Sequence, residues 1–433
     1  MKNFNISEIA NKITEAGGTL YLVGGAVRDT LLDKKIKDKD YCITGISSQK
    51  FLQLFPYAHT RGKSFEVFDI DNNEFAIARK EKKVGIGHKE FSVETGNNIT
   101  IYDDLARRDI TINSMAINVL TNEFIDPFNG KIDIKNKIIR KTSDAFSEDP
   151  LRVYRIARFA AQMQFSIDSE TITAMNKLKS ELSTLSAERV FAEFKLALAS
   201  NSPSTFFNSL RNANVLDVHF KEIFDLIGSI QPEQYHPEGD SYNHTMMAVD
   251  YSTKLTNKLE YRFASLAHDL GKGITPKENY PHHFNHEKLG AQLVRDLGNR
   301  LKMPTRWIKC GKTAAYEHMK GGIFSQMKPS KKVDFIEKVA KSQLGLAGME
   351  IVVKSDRASS WDSNPQENAQ LNTQIDFFKI GTKMLNEING EYIKKKYNIS
   401  PSIRFGEILR QERISWMKKM NIGKSVEPSH NHS

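Results

Sequence analysis

The stretch LYLVGGAVRDTLLDKKIKDKDYCITG, from Leu20 to Gly45, decides the fold of the first part of this chain. An apolar run, LYLV, leads into a glycine pair, a helix-like segment and a second β-like run, DYCITG. This order predicts a strand, a turn, a helix and a second strand. Gly24 and Gly25 let backbone N–H groups approach a ligand, and a helix that begins there favours an anion such as phosphate. Arg28, one turn into that helix, would add a charged contact to the phosphate.

Two aspartates, Asp38 and Asp40, stand at the predicted start of the second strand. Residues two apart on a strand share a face, so this pair is expected to hold Mg²⁺ together with substrate phosphates. Two metal ions held in this way clamp the attacking and leaving oxygens of an in-line displacement. Glycine pairs and D-x-D motifs also occur in ordinary turns, and it is their combination that strengthens the prediction of a phosphate and metal site. Glu74 is either a third carboxylate of this site or an exposed glutamate at the edge of the sheet.

Length and composition indicate a large globular protein. The chain has 433 residues, two cysteines and a net charge of +10. It has no run of about 18 apolar residues, which excludes a transmembrane helix, and its first residues lack a signal-peptide pattern. Two cysteines are too few for a disulfide framework or a cysteine zinc site, and we therefore expect a cytoplasmic protein. The positive charge favours a polyanionic partner, nucleic acid before an acidic membrane surface, although a solvated basic surface is the alternative.

The pattern of apolar residues changes along the chain. Short β-like runs alternate with turns over the first ~140 residues, and helical spacing dominates from about Asp144 onward. The predicted class is therefore α+β, with a head of strands and helices followed by an all-α body. A segment rich in proline, glycine and polar residues, 227–244, is the predicted junction within that body.

A third motif, EDPLRVYRIAR, places Asp149, Arg152, Arg155 and Arg158 at intervals of three on a predicted helix. Cytosine and adenine both present an amino donor beside a ring-nitrogen acceptor, whereas uracil and guanine present the opposite pattern. A carboxylate beside a guanidinium therefore accepts C and A, and would leave buried polar groups unpaired with U or G. A basic surface helix with i,i+3 pairing is the alternative interpretation.

The helical part contains a histidine-aspartate doublet, His268-Asp269, in the run YRFASLAHDLGKGITP. His244 lies upstream and Asp356 downstream. Imidazole and carboxylate ligands suit a transition metal that activates water for phosphate hydrolysis. Lys272 could neutralise phosphate charge. His286 and His318 are candidates for contacts around the ligands, with their roles left open.

These motifs resemble those of the bacterial class II CCA-adding tRNA nucleotidyltransferases of the polymerase β superfamily. The stretches DDLARRDITINSMAIN, IDPFNGKIDI and EDPLRVYRIARFAA also fit that family in order and spacing. The second half resembles the HD domain that follows the nucleotidyltransferase in one subgroup, and the similarity covers nearly the whole chain. The resemblance implies a polymerase-β-like head with a mixed sheet in 1–143 and a helical neck and RNA-binding body in 144–226. It further implies an HD phosphohydrolase domain in 227–360 and a helical tail in 361–433.

The same resemblance implies addition of C, C and A to tRNA 3′ ends from CTP and ATP, without a nucleic-acid template. Asp149 and Arg152 would read the base, Gly25, Arg28 and Arg108 would bind the nucleotide, and Arg155 and Arg158 would contact the triphosphate. Asp109 and Asn113 would bind sugar or hold a turn. In the subgroup with an HD domain, that domain gives 2′,3′-cyclic phosphodiesterase, 2′-nucleotidase and phosphatase activities. His244, His268, Asp269 and Asp356 would bind its metal, with nickel, manganese or cobalt expected.

Several alternatives remain open at this point. An A-adding enzyme or a poly(A) polymerase would share the head but add only A. A protein uridylyltransferase has the same order of domains, but that family is longer. An RNA-binding protein with inactive sites is the third alternative. The basic segment Arg79–Glu90 is expected to be a mobile loop, or an ordinary surface loop, and the chain is expected to be a monomer or a homodimer.

Overall fold

In a computed structural model of the chain, the structure describes residues 5–36, 38–61, 66–83, 91–95, 98–233, 239–360 and 377–420. The chain divides into two compact units. The first comprises Met1–Ala197 and Thr205–Val218, and the second comprises Leu198–Ser204 and His219–Ser433. Among the described residues, the strands all fall in the first unit, and the second is helical apart from turns and one isolated bridge. The predicted α+β class, with a helical body after the head, is confirmed.

The described strands have these bounds: β1 Thr19–Val23, β2 Asp40–Thr44, β3 His59–Arg61, β4 Val67–Ile70, β5 Asn73–Ile77, β6 Arg79–Lys83, β7 Phe91–Thr95, β8 Ala116–Asn118, β9 Phe124–Ile125, β10 Ile138–Ile139 and β11 Ser166–Ile167. The main sheet has seven strands in the order β3-β4-β5-β2-β1-β8-β9. Its β2–β5 pair is parallel and its other pairs are antiparallel, so the predicted mixed sheet is confirmed.

Alternation along β2 explains why the sheet forms two cores. Tyr41 and Ile43 point to one face, where Tyr41 stacks on Phe75 with ring centroids 5.0 Å apart. Cys42 points to the opposite face and packs with Val23 and other apolar residues. Because side chains of a strand alternate between faces, Asp40 shares the face of Cys42.

A separate two-stranded sheet occupies part of the expected loop at Arg79–Glu90. The strands β6 and β7 pair antiparallel, from Arg79 opposite Thr95 to Lys83 opposite Phe91. The expectation of a loop is therefore wrong for residues 79–83. Their basic composition predicts a loop, but they form a strand that pairs with β7. Residues 84–90 lie outside the described residues.

The described α-helices have these bounds: α1 Ile6–Glu15, α2 Gly25–Leu31, α3 Ser48–Leu54, α4 Ile101–Ala106, α5 Gly130–Asn136, α6 Arg152–Met163, α7 Ser169–Lys177, α8 Ala187–Leu198, α9 Ser204–Asn212, α10 Leu216–His219, α11 Lys221–Phe224, α12 Ser241–Leu255, α13 Leu259–Ala267, α14 His286–Arg300, α15 Thr305–Gly322, α16 Pro329–Ala340, α17 Gly345–Ser360, α18 Phe377–Glu387, α19 Gly390–Tyr397 and α20 Ile403–Lys419. Short 3-10 helices lie at Thr111–Asn113, Asp144–Glu148, Lys179–Thr184, Leu270–Ile274, Lys277–Asn279 and Phe324–Gln326.

Side-chain caps fix the ends of the helices that carry site residues. Thr100 and Asp103 form a reciprocal capping box at the start of α4, which precedes Arg108. Asp240 caps α12 by accepting a hydrogen bond from the N–H of Asn243 at 2.9 Å. In the second unit, α13, α15 and α17 pack around a buried apolar core, and α12 packs against α13 and α17. This packing brings together side chains that are more than 100 residues apart in the sequence.

Candidate functional site

The first site lies where β1, α2 and β2 meet. Val23, the last residue of β1, pairs with Asp40, the first residue of β2. Gly24 follows with φ +70°, a conformation that L side chains rarely adopt. A Cβ atom on Gly24 would lie 2.9 Å from Arg108 Nη1 and 3.8 Å from Asp40 Oδ2. The turn therefore needs glycine chiefly because of this positive φ, and a Cβ atom would in addition crowd the guanidinium of Arg108.

Three carboxylates come to this edge of the sheet. The strand β2 begins at Asp40, so Asp38 lies just before it, and the expectation that both aspartates stand on the strand is corrected. Asp40 is half-buried, Asp38 is exposed, and exposed Glu74 is the partner of Asp40 across the parallel pair β2–β5. Burial raises the pKa of Asp40; Arg108 lowers it, and the charge of Asp38 raises it. Oxygen donors in this arrangement fit Mg²⁺, which prefers one or two carboxylates together with substrate phosphates.

Arg108 is held in place by a buried carboxylate, Asp104. Its Nη2 lies 3.0 Å from Asp104 Oδ2, and Arg107 Nη2 lies 2.6 Å from Asp104 Oδ1. Burial alone would raise the pKa of Asp104, but the two guanidinium groups outweigh it and lower the pKa to about 2. Asp104 thus stays ionised and fixes both arginines. Our sequence reading missed Asp104, although its spacing of four residues to Arg108 was a usable signal.

Arg28 is joined to the helix α6 through a chain of hydrogen bonds. It donates to Asp29 and, at 2.7 Å, to Asn113 Oδ1. Asn113 donates to Asp109 Oδ1 at 3.4 Å, and Asp109 Oδ2 lies 2.7 Å from Arg155 Nη2. Asp109 and Asn113, whose roles were left open, here connect two predicted nucleotide-binding arginines. The triphosphate contacts of Arg28 and Arg155 remain predictions.

The predicted base-reading pair has partners that the sequence did not indicate. Asp149 Oδ2 lies 3.0 Å from Arg189 Nη2. Arg152 donates to the backbone carbonyls of Ala145 and Arg107 at 2.5 and 2.6 Å. Arg152 thereby stabilises the segment that leads into Arg108. Reading of the base by Asp149 and Arg152 remains a prediction.

Arg158 lies in a buried ion pair. Its Nε is 2.5 Å from Glu193 Oε2, and both side chains are 9% exposed. Its Nη1 donates to Gln162 at 2.8 Å, and its guanidinium lies 4.0 Å from the ring centroid of Phe159. These contacts tie α6 to α8 and give Arg158 a structural role besides its predicted contact with the triphosphate.

The second site, the HD centre, brings together six side chains from the second unit. They are His244 on α12, His268 and Asp269 at the end of α13, His286 at the start of α14, His318 on α15 and Asp356 on α17. His244 Nε2 lies 3.0 Å from Asp356 Oδ1 and 3.3 Å from His268 Nε2. His268 Nε2 lies 3.3 Å from Asp269 Oδ2. The four predicted metal ligands therefore converge.

Backbone carbonyls orient three of these imidazoles. The Nδ1 atom of His268 lies 2.7 Å from Ser265 O, and that of His286 lies 2.7 Å from His283 O. His318 Nδ1 lies 3.1 Å from carbonyl oxygens one turn back in α15. When Nδ1–H of a neutral imidazole donates to a carbonyl, Nε2 carries the lone pair that can bind a metal ion.

Charge in the HD centre is concentrated on Asp269 and Asp356. Lys272 Nζ lies 2.6 Å from Asp269 Oδ2, so Lys272 neutralises a carboxylate of the chain itself. Neutralisation of phosphate charge by Lys272 remains a prediction. Burial alone would lower the pKa of His268, but Asp269 and Asp356 raise it to about 10. Nitrogen and oxygen donors in a buried cluster fit a divalent transition metal.

A glycine that the sequence reading did not single out makes this convergence possible. A Cβ atom on Gly271 would lie 1.9 Å from the carbonyl oxygen of His286 and 2.6 Å from the backbone nitrogen of Gly290. The turn after Asp269 therefore rests directly on the first turns of α14. Gly271 is the first glycine of the run HDLGKG, and the sequence alone does not show that α14 approaches it.

Among the described residues, no helix is both long and apolar enough to cross a membrane. A nucleotidyltransferase head followed by a helical HD domain is the class that this fold and these two sites define. Residues 20–140 match the poly A polymerase head domain, and residues 241–342 match the HD domain. Residues 164–227 match the family described as "Probable RNA and SrmB- binding site of polymerase A".

Similarity to curated proteins identifies the family within this class. The multifunctional CCA protein of Pseudoalteromonas atlantica is 46% identical over 293 residues, which cover 66% of this chain and 71% of that protein. The multifunctional CCA protein of Mannheimia succiniciproducens is 41% identical over 331 residues, 74% of this chain and 78% of that protein. The chain belongs to the multifunctional CCA protein family. The prediction of a CCA-adding tRNA nucleotidyltransferase with an HD domain is confirmed at this level.

Solved structures share the fold. The Bacillus stearothermophilus CCA-adding enzyme in complex with CTP is 19% identical, with a TM-score of 0.62 over 96% of each chain. A CCA-adding enzyme with ATP is 17% identical, with a TM-score of 0.62 over 97% of this chain and 89% of that one. At such identities the likeness concerns the fold alone.

Proposed function

We propose that the head of this chain adds C, C and A in turn to tRNA 3′ ends from CTP and ATP, without a template. We further propose that the HD centre hydrolyses 2′,3′-cyclic phosphates, 2′-nucleotides and phosphomonoesters, so that damaged tRNA ends become extendable. The observation that carries the first proposal is the meeting of Gly24, Asp40 and Arg108 at one edge of the sheet. The close relatives named multifunctional CCA proteins support both.

In the head, Asp38 and Asp40 are the proposed holders of Mg²⁺, with Glu74 beside them. When bound, Mg²⁺ supplies positive charge that makes a ribose 3′-OH easier to deprotonate and a pyrophosphate easier to release. Gly24 leaves room beside Arg108, whose guanidinium is fixed by Asp104 for contact with a phosphate. Arg28 and Arg155, linked through Asn113 and Asp109, would stabilise charge on the triphosphate without needing to reorganise.

Choice of the base is proposed to rest on Asp149 and Arg152. A carboxylate acceptor beside guanidinium donors matches the edges shared by cytosine and adenine. Arg189, whose Nη2 lies 3.0 Å from Asp149 Oδ2, would orient the carboxylate. The tRNA itself would bind through phosphate contacts and shape, for which the net charge of +10 is suited.

In the HD centre, His244, His268, Asp269 and Asp356 are the proposed ligands of Ni²⁺ or another divalent transition metal. When bound, such an ion supplies an activated water for attack on phosphorus. The carbonyl of Ser265 holds His268 in the tautomer that leaves Nε2 free, and Lys272 offsets the charge of Asp269.

The domain division is also proposed. We propose four parts: a head at 1–143, a neck with body at 144–226, an HD domain at 227–360 and a tail at 361–433. The order of the first three agrees with the three family matches. The helix α11 groups with the second compact unit, although the proposed division places it in the body. A cytoplasmic location is kept as a proposal, and the two free, buried cysteines are compatible with it.

Single-nucleotide extension tests the proposed addition. Purified protein with Mg²⁺ receives tRNA transcripts ending before CCA, after C and after CC, each with CTP, ATP, UTP or GTP singly and then in mixtures. We expect C, C and then A, after which extension stops. Incorporation of A alone on every transcript would instead identify an A-adding enzyme or a poly(A) polymerase. No incorporation on any transcript would contradict the proposal.

A further inference from the structure

Three apolar side chains are exposed beside the HD centre. Phe284 is 65% exposed, Ile230 is 58% exposed and Ile274 is 43% exposed. The ring of His283 holds their backbones together, because its Nε2 lies 3.0 Å from the carbonyl oxygen of Ile230 and its Nδ1 lies 2.6 Å from Thr275 Oγ1. Phe284 follows His283 in the chain, and Ile274 precedes Thr275. We call the side chains of Ile230, Ile274 and Phe284 the apolar patch.

Two series of contacts join the apolar patch to the HD centre. On one side, the carbonyl oxygen of His283 lies 2.7 Å from His286 Nδ1, and His286 Nε2 lies 3.5 Å from Asp269 Oδ1. On the other side, Gln231 Oε1 accepts a hydrogen bond from Lys272 Nζ at 2.5 Å, and that Nζ lies 2.6 Å from Asp269 Oδ2. The apolar patch therefore borders the site that is proposed to bind phosphate.

Gln231, which follows Ile230 in the chain, has an unused hydrogen-bond donor. The residue is 3% exposed, and its Nε2 makes no hydrogen bond with any described residue. A buried amide N–H without an acceptor is costly unless a ligand supplies one. Because Gln231 bonds Lys272 and adjoins Ile230, this donor lies between the proposed phosphate site and the apolar patch.

We propose that the apolar patch and Gln231 form a subsite for the terminal nucleoside of an RNA whose end phosphate occupies the HD centre. The base stacks on Phe284, and Gln231 Nε2 donates to an oxygen of the ribose. The order of phosphate site, polar donor and apolar patch matches the order of phosphate, sugar and base in a nucleotide. An aromatic ring accepts the face of any base, so the subsite recognises a nucleoside without selecting one base. This proposal rests on the proposed phosphohydrolase activity only for its kinetic tests.

Kinetics on a 2′-nucleotide test the stacking. With Ni²⁺ present, release of adenosine from 2′-AMP gives KM, and added inorganic phosphate gives the inhibition constant of phosphate. Phe284→Ala should raise KM about 10-fold, as expected for one stacked base, and leave the inhibition constant unchanged. Phe284→Trp should restore KM. The control Phe378→Ala removes a ring that is 39% exposed on α18 and should change neither constant. An unchanged KM in Phe284→Ala would overturn the stacking.

The variant Gln231→Glu separates a contact with ribose from an effect of charge. Glutamate keeps an oxygen that can accept from Lys272 but offers no donor. We therefore expect a higher KM for 2′-AMP and the same inhibition constant for inorganic phosphate. If both constants rise together, the new charge repels phosphate, and the assignment of Nε2 to the ribose is wrong.

Photo-cross-linking tests the subsite without hydrolysis. The unaltered protein is irradiated with 8-azidoadenosine 2′-phosphate, and mass spectrometry of the labelled peptides separates labels in the HD domain from any in the head. We expect labels on peptides that contain the apolar patch, and their loss with excess 2′-AMP. Such labels in a protein that does not hydrolyse 2′-AMP would support the subsite and contradict only the proposed activity.

Two outcomes of this experiment contradict the subsite. One is labelling confined to peptides outside the apolar patch. The other is a change of oligomeric state in Phe284→Ala, measured by sedimentation, with no change in labelling. In that case a second copy of the chain, and not a nucleoside, covers the apolar patch.

Discussion

The head and the HD centre differ in how completely the folded chain assembles them. In the head, Asp38 and Glu74 are exposed and Asp40 is half-buried, so the donors face a space that a substrate can enter. In the HD centre, Asp356 is 22% exposed, and the other five side chains are at most 8% exposed. The carboxylates of the head are thus open to solvent, whereas the imidazoles of the HD centre are buried against one another.

This difference follows from the elements that build each site. The head site centres on a strand, a turn, a helix and a second strand within residues 19–44, to which later segments add Glu74 and Arg108. The HD centre uses five helices whose ligands span residues 244–356, so its geometry depends on helix packing. We therefore expect the head to respond most to the loss of single charges. The HD centre should respond also to changes in packing.

The largest expected effect is that of Asp40→Asn on nucleotide addition. The substitution keeps the shape but removes the charge that would hold Mg²⁺, and we expect a loss of about 10⁴-fold, as for one member of a catalytic unit. Extension of a tRNA transcript with CTP gives the measurement. Hydrolysis of a cyclic phosphate should be unchanged. The control Asp71→Asn removes an exposed charge from a turn with φ +49°, and addition should persist in it.

Arg158→Met should destabilise the first unit by about 3–5 kcal/mol, because it leaves Glu193 buried without its partner. Chemical denaturation with a probe in the head measures this loss. The double variant Arg158→Met, Glu193→Leu should regain most of the stability. If the double variant is stable and adds nucleotides normally, Arg158 is structural. Stable protein with addition still lost would instead support the contact with the triphosphate.

Stability of the second unit should fall in mild acid because of His219. Burial, and to a lesser degree the charge of Arg300, lowers the pKa of His219 from its ordinary 6.5 to about 4. Between pH 6.5 and 4, His219 is therefore protonated in the unfolded chain but neutral in the folded chain. The free energy of unfolding falls across this range by on the order of 3 kcal/mol. Unfolding free energies across this range provide the test. His219→Gln should flatten the dependence, and an unchanged slope would exclude His219 as its source.

Gly271→Ala should damage the HD centre and spare the head. Its Cβ would overlap the carbonyl oxygen of His286, which must shift, at a cost of about 1–3 kcal/mol. Metal content and cyclic-phosphate hydrolysis should both fall, while addition of CCA continues. The control is Gly322→Ala, because only the side chain of Arg357 lies within 4 Å of the position that its Cβ atom would take. Gly228→Ala is unsuitable as a control because Gly228 has a φ of +76°. Full metal content in Gly271→Ala would contradict this view of the turn.

The smallest expected effect concerns the choice of base. Arg189→Gln should remove the guanidinium partner of Asp149 Oδ2, and discrimination of CTP over UTP should fall by about 10-fold, the value of one charge-assisted hydrogen bond. Competition between the two nucleotides on a transcript ending before CCA measures the ratio. Arg211→Gln, on α9, is a control on the same unit. Undiminished discrimination in Arg189→Gln would remove Arg189 from base selection.

Much of the molecule could be predicted from local pattern. The predicted strands at the glycine pair, at Asp40 and at Glu74 all form, because alternating apolar residues determine which face is buried. The four side chains predicted to bind the metal of the HD domain also converge, as expected. Partners such as Asp104 for Arg108 and Gly271 below α14 were missed. Asp104 could have been found from its helical spacing to Arg108. The role of Gly271 becomes visible only from the packing of the turn after Asp269 on α14.

Other features had no local signal. Glu193 lies 35 residues from Arg158, and nothing in the sequence distinguishes it from a surface glutamate. The hairpin at β6 and β7 reads as a basic loop because its side chains are mostly charged. His286 and His318 become candidate ligands only when the packing of α13, α14 and α15 brings them to Asp269. Each of these three features depends on contacts between segments that are distant in sequence, and the spacing of residues along the chain does not reveal such contacts.

The central claim is that one chain repairs and extends a tRNA end at two independent sites. The most direct measurement supplies a tRNA lacking CCA and ending in a 2′,3′-cyclic phosphate, with CTP and ATP, to the unaltered protein, to Asp40→Asn and to His268→Ala. The unaltered protein should yield CCA ends, Asp40→Asn should yield opened but unextended ends, and His268→Ala should leave the cyclic ends intact. A mixture of the two variants should restore CCA addition. Extension of the cyclic-ended tRNA by His268→Ala alone would contradict the claim.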